Sequence, residues 1–151
     1  MISIDRRNVL KGAVALGAIT VVPSTAFATP DTMTAAMAEA LGGVAPKPGR
    51  IKLDISPLAE NGNSVPLTIT VESPMSATDH VKTIYLFSPE NPQPDVARFH
   101  IGPRAGRAQV KTSIRLATSQ HIHGIAVMSD GSVWSDSAEV IVTLSACIDA
   151  G

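Results

Sequence analysis

Between Ile51 and Leu144 the chain alternates apolar and polar residues with a period of two, segment after segment. Ile51, Leu53 and Ile55 alternate with Lys52 and Asp54. Val65, Leu67, Ile69 and Val71 alternate with Pro66, Thr68 and Thr70. Val81 to Phe87 is a β-branched and aromatic run, and Phe99 and Ile101 flank His100. Val110, Thr112, Ile114 and Leu116 alternate with Lys111, Ser113 and Arg115. Ile122 to Met128 is almost continuously apolar, and Val140, Val142 and Leu144 alternate with Ile141 and Thr143. Successive side chains of an extended strand point to opposite faces, so each segment reads as a strand with one face in a core.

The separators are turn formers: Glu60-Asn-Gly-Asn63, Ser73-Pro-Met-Ser76, Pro89-Glu-Asn-Pro-Gln-Pro94, Gly102-Pro103 and Ser129-Asp-Gly-Ser132. Asp130-Gly131, between Val127-Met128 and Val133-Trp134, is a hairpin signal. About seven short strands with no helix between them predict an all-β fold, an immunoglobulin-like antiparallel β-sandwich. The single cysteine rules out the inter-sheet disulfide of antibody domains. Aromatic residues make up only 3%, so the core has to be built from Val, Ile, Leu and Ala.

Ahead of the strands, Thr29 to Gly43 predicts one short helix. Thr29 or Asp31 can cap it, Pro30 suits its first turn and Gly42-Gly43 ends it. Met33, Met37 and Leu41 are four apart and share a face. Ala45-Pro-Lys-Pro-Gly49 then breaks the chain. The first residues read as an address: Arg6 and Arg7 are the pair of a twin-arginine (Tat) export signal. An apolar stretch follows from about Gly12 to Val22, and Ala26-Phe27-Ala28 is a small-x-small cleavage site. The expected organisation is a signal peptide over 1–28, helix and linker over 29–49, sandwich over 50–144 and a flexible C-terminal arm over 145–151. The expected location is the periplasm.

Function classes fall away quickly. A net charge of −1 on 151 residues leaves no basic footprint for nucleic acid and no polybasic membrane patch. No mature segment reaches the roughly 20 apolar residues of a membrane span. Phosphate-binding glycine loops and HExxH are absent from the sequence. No pair of carboxylates is brought together by spacing alone. His121 and His123, two apart on one strand, share a face and could begin a metal site; His100 lies elsewhere, and solvated histidines are the simpler reading.

Cys147 is different. An oxidising compartment favours disulfides, yet one cysteine cannot form one within its own chain. It sits on a tail of small residues, Ser145, Ala146, Cys147, Ile148, Asp149, Ala150 and Gly151, which could reach on the order of 20 Å at about 3.3 Å per residue. A thiol so placed suits covalent traffic with another protein. Asp149 disfavours the thiolate by like-charge repulsion, so self-activation is not expected. An adaptor domain using Cys147 for an intermolecular disulfide is the alternative.

Several segments resemble one family. Ser56-Pro-Leu-Ala-Glu-Asn-Gly-Asn-Ser-Val-Pro66 is similar to a P-x-x-A-E-N-G-x-x-V-P segment of the SoxY family, the Y subunit of the sulfur-oxidation carrier. Val71-Glu-Ser-Pro-Met75, Asn91-Pro-Gln-Pro94, Ile114-Arg-Leu116 and Ser129-Asp-Gly-Ser-Val-Trp134 match in order. The resemblance implies an immunoglobulin-like sandwich that forms a heterodimer with a SoxZ-type subunit and holds sulfur intermediates on Cys147. It implies no enzyme and no cofactor in this chain. A c-type cytochrome would join thiosulfate to the thiol as a cysteine S-thiosulfonate; a manganese thiosulfohydrolase would release sulfate, and a sulfane dehydrogenase would oxidise the remainder. One departure stands out. The family tail reads Gly-Gly-Cys-Gly-Gly, whereas this one surrounds the thiol with Ser145, Ala146, stiff Ile148 and charged Asp149. A divergent carrier, serving a wider partner pocket or no longer serving the standard cycle, is the expectation that follows.

Overall fold

A computed structural model describes residues 28–146. The expected export signal with Arg6 and Arg7, apart from Ala28, lies outside the described residues, as do Cys147, Ile148, Asp149, Ala150 and Gly151.

Helix α1 spans Pro30–Leu41 and begins where the sequence signals it. Thr29 is the N-cap. Its hydroxyl accepts the Thr32 N–H at 3.3 Å, and the Thr32 hydroxyl accepts the Thr29 N–H at 2.7 Å, a capping box made of two threonines. Gly42 closes the helix at φ 62°, a left-handed conformation that glycine adopts without penalty. Met33 and Leu41 bury the apolar face against Phe87, Ile125 and Val133, with Met37 at its border.

The strands are β1 (Lys47–Pro48), β2 (Ile51–Ile55), β3 (Leu58–Ala59), β4 (Val65–Val71), β5 (Val81–Phe87), β6 (Asp95–His100), β7 (Ala108–Ile114), β8 (Gln120–Met128) and β9 (Val133–Val142). They form two facing sheets. The larger has the order β1-β9-β8-β5-β6, with β3 also beside β9; the smaller is β2-β4-β7. The long pairs are antiparallel, whereas β1 and β3 run parallel to the edge of β9 that β8 leaves free. Val65, Leu67 and Ile69 from the smaller sheet meet Ile84, Leu86, Ile122, Met128 and Val140 from the larger. Each such buried side chain contributes about 1.5–3 kcal/mol of transfer free energy. This is the expected immunoglobulin-like sandwich, with α1 laid on the outer face of its larger sheet.

Three expectations are corrected. Val133-Trp134 and Val140–Leu144 are not ends of separate segments, because β9 runs unbroken through Ser135-Asp-Ser-Ala-Glu139. The polarity there reflects an outward-facing row and one core-facing carboxylate, that of Asp136. Its Oδ2 accepts the Leu53 N–H at 2.8 Å and so pins the edge of β2 to the larger sheet. Leu144 is not a strand residue; it lies past β9 and is 62% exposed. The stretch before Ile51 is more than a linker, since β1 already pairs with Trp134 and Ser135. Gly49 at φ 111° and Arg50 at φ 56° then turn the chain from one sheet to the other. Arg50 is held there by the Trp134 ring, 5.8 Å from its guanidinium, and by Asp79 at 3.4 Å.

Candidate functional site

The last described residues are bound into one end of the sandwich. Along β3 the chain keeps company with the tail of β9: Pro57 C=O accepts the Ile141 N–H at 2.8 Å, and Ala59 C=O accepts the Thr143 N–H at 3.0 Å. The Thr143 hydroxyl donates to Glu60 C=O at 3.1 Å. Gly62 then does two things. Its N–H donates to Leu144 C=O at 2.7 Å, and its C=O accepts the Leu116 N–H at 2.9 Å. Leu116 C=O in turn accepts the Ala146 N–H at 3.1 Å. Leu116 is fully buried, so the tail root is fastened to a core residue. Ser119 adds a further tie, its hydroxyl accepting the Val142 N–H at 2.8 Å.

The loop that carries Leu116 is itself held from inside. Ser88, Asn91 and Gln120 are buried polar residues, and they satisfy one another. The Ser88 hydroxyl donates to Gln120 Oε1. Gln120 Nε2 donates to Asn91 Oδ1 and to Thr118 C=O, both at 3.1 Å. Asn91 Nδ2 donates to Arg115 C=O at 2.8 Å, and Asn91 Oδ1 accepts the Ala117 N–H at 3.0 Å. A fully paired buried network of this kind rigidifies its surroundings. The residues flanking Leu116 are therefore fixed from both sides.

Of the tail residues singled out in the sequence, Ser145 and Ala146 are thus placed at the sandwich end, and Ala146 is tied down rather than loose. Cys147 follows directly, outside the described residues. The Ala59-Glu-Asn-Gly62 motif and the tail, far apart in sequence, meet here. Nothing in the sequence marked Leu116 or Gly62 as the tail's anchors; Asn61-Gly62 reads only as a turn.

The histidines are elsewhere. His121 and His123 lie on the outer face of β8, paired across from Glu139 and Ser137. His123 borders the cleft beneath α1 with Met33, Met37 and Leu41. Burial first, and the neighbouring His121 second, hold its pKa below the ordinary 6.5. His100 is on β6, its Nδ1 3.1 Å from Thr83 Oγ1. Among the described residues no three His, Cys, Asp or Glu side chains gather in a metal-binding arrangement.

The sequence profile of the family described as "Sulfur oxidation protein SoxY" matches residues 37–147. Among solved structures, the sulfur carrier protein SoxY from Chlorobium limicola f thiosulfatophilum is 27% identical. The match covers 76% of this chain and 98% of that one at a TM-score of 0.62. The superoxide reductase (neelaredoxin) of Ignicoccus hospitalis is 18% identical over 77% of this chain and 94% of that one, at a TM-score of 0.56. The superoxide reductase of Nanoarchaeum equitans is 14% identical over 64% of this chain and 100% of that one, at 0.53. At those identities the reductases share the sandwich fold and nothing further is carried over. None of the curated proteins compared matches the sequence. The profile spans well over half of the chain, from within α1 to the tail cysteine: the protein belongs to the SoxY family.

Proposed function

We propose that this protein is a periplasmic, non-catalytic carrier that holds sulfur intermediates covalently on Cys147 and presents them to partner enzymes of sulfur oxidation. One observation carries most weight. The backbone is fastened up to Ala146, so the chain's single thiol belongs to the residue that follows an anchored point on the surface. A sulfur carrier needs such a placement, because the thiol must enter partner active sites while the body stays outside. The solved relative named as a sulfur carrier supports the same reading, as does the twin-arginine signal with Arg6 and Arg7. In this reading a SoxZ-type subunit completes a heterodimer. A c-type cytochrome, a manganese thiosulfohydrolase and a sulfane dehydrogenase supply the chemistry. The chain binds no cofactor of its own.

Loading is an oxidation: the Cys147 thiol and thiosulfate give up two electrons to the cytochrome as the S–S bond forms, and the thiol proton is released. The test is the intact mass of the exported protein, with and without thiosulfate and the oxidising cytochrome, before and after reductant. A reducible adduct on the peptide holding Cys147, lost in Cys147→Ser with the thermal unfolding midpoint unchanged, is the expected result. A thiol that only dimerises under loading conditions would replace the carrier with an adaptor that uses an intermolecular disulfide. Adducts that load but are not processed by the standard hydrolase would show that Ile148 and Asp149 have changed the partner.

A further inference from the structure

The carrier reading leaves the Ala59–Gly62 motif without a role, and the geometry supplies one. Gly62 is buried and bonded through both its N–H and its C=O. A Cβ at this position would stand 2.4 Å from Leu116 C=O and 2.8 Å from the Ala146 nitrogen. Both are shorter than real contacts, and both are to backbone, which cannot swing aside. The site therefore demands a residue without a side chain for reasons of space.

We infer that Gly62 is a positioning residue for the carrier thiol: it lets the tail root lie flush on the sandwich end, so that the backbone is held up to Ala146, the residue directly before Cys147. This deepens the carrier reading and rests on it for the identity of the reacting group. Successive Cα atoms are about 3.8 Å apart, so the Cα that bears the thiol lies within that distance of a held residue. A tail released from Thr143 onward would carry the thiol several residues further from its anchor. The partner must then bring its active site to the sandwich end, where Glu60, Asn61, Asn63, Thr118 and Ser119 are exposed around the root. A root that is already ordered spares the complex the cost of ordering it at docking. The Gly62–Leu116–Ala146 circuit thus acts as a post that presents the thiol.

The test combines amide exchange with steady-state kinetics on the mature protein, using thiosulfate and the oxidising c-type cytochrome. Two variants release the root independently. Gly62→Ala pushes Leu116 and Ala146 apart. Ala146→Pro replaces the N–H that bonds Leu116 with a ring Cδ that faces the same carbonyl, and it lies beyond β9, outside the hydrophobic core, so it serves even where Gly62→Ala fails to fold. The expected results are a protected Ala146 amide in the wild type and alkylation of Cys147 by iodoacetamide at wild-type rates in the variants. The variants' KM for the carrier should rise about tenfold with kcat changed far less, the mark of an ordering cost moved to docking. A general structural defect would instead lower the unfolding midpoint. An Ala146 amide that exchanges freely in a wild type that still loads, or an unchanged KM in folded Ala146→Pro, overturns the inference alone. A protected amide on a chain that takes no adduct overturns the carrier reading, and the positioning role with it.

Discussion

Gly124 on β8 lies opposite Asp136 on β9, and Leu53 from the facing sheet reaches both. A Cβ on Gly124 would meet the Leu53 side chain at 2.6 Å, while Asp136 takes the Leu53 backbone N–H. Here the two sheets come into close contact, and a residue without a side chain leaves room for Leu53. Gly124→Ala overpacks the site and is expected to cost about 1–3 kcal/mol. Adding Leu53→Ala should return part of that loss, because the new methyl occupies the space vacated. Urea unfolding of the two single variants and the double variant measures the coupling; strictly additive losses would show that Leu53 does not own the space. The sequence shows Gly124 as one glycine in an apolar run and Asp136 as one polar residue among several. Their partnership with Leu53 is invisible there because Leu53 and Asp136 are 83 positions apart.

Elements differ in how openly they declare themselves, for physical reasons. Helix α1 is legible because caps, proline and the Met33-Met37-Leu41 spacing are local signals. The long strands are legible because one face of each is buried. The two-residue strands β1 and β3 are not, since they form by borrowing hydrogen bonds from β9, and Leu58 of β3 is 53% exposed. The candidate site falls in the same gap: Asn61-Gly62 announces a turn, but its bonds to Leu116 and Leu144 join three separate stretches of chain. What the sequence leaves open for α1 is its seat, and the second apolar cluster answers that. Met33 is 8% exposed among Leu41, Phe87, Ile125 and Val133. Met33→Ala should therefore destabilise by about 2–5 kcal/mol, well above the cost of a surface change. Amide exchange should show α1 and the outer face of β8 loosening while the β4–β7 pairing stays protected. Uniform loosening of both sheets would mean that α1 is integral to the sandwich core rather than a layer added to it.

For the molecule as a whole, stability becomes a function of pH through the group that the α1 seat keeps partly dry. His123 sits under α1 with Met33, Thr34, Met37, Ala38 and Leu41 around the same cleft, none of them a carboxylate. On its own face His121 is the neighbouring base. Burial, and then His121, lower its folded pKa below the ordinary 6.5. The unfolded chain therefore takes up this proton at a higher pH than the folded chain does. Above 6.5 both forms are neutral at this site and its contribution is full. As pH falls through the ordinary value the unfolded state is protonated first, and stability declines until the folded-state pKa is passed, below which the loss levels off. Urea midpoints measured from about pH 7.5 down to about pH 5 should fall more steeply for the wild type than for His123→Leu, which fills the same apolar cleft and cannot titrate. Parallel curves for the two proteins would mean that α1 does not shield this imidazole in solution. Coincidence of the slope difference with loss of α1 protection in amide exchange would tie the pH response to the helix seat, while the anchored tail root at the sandwich end should keep its protection throughout.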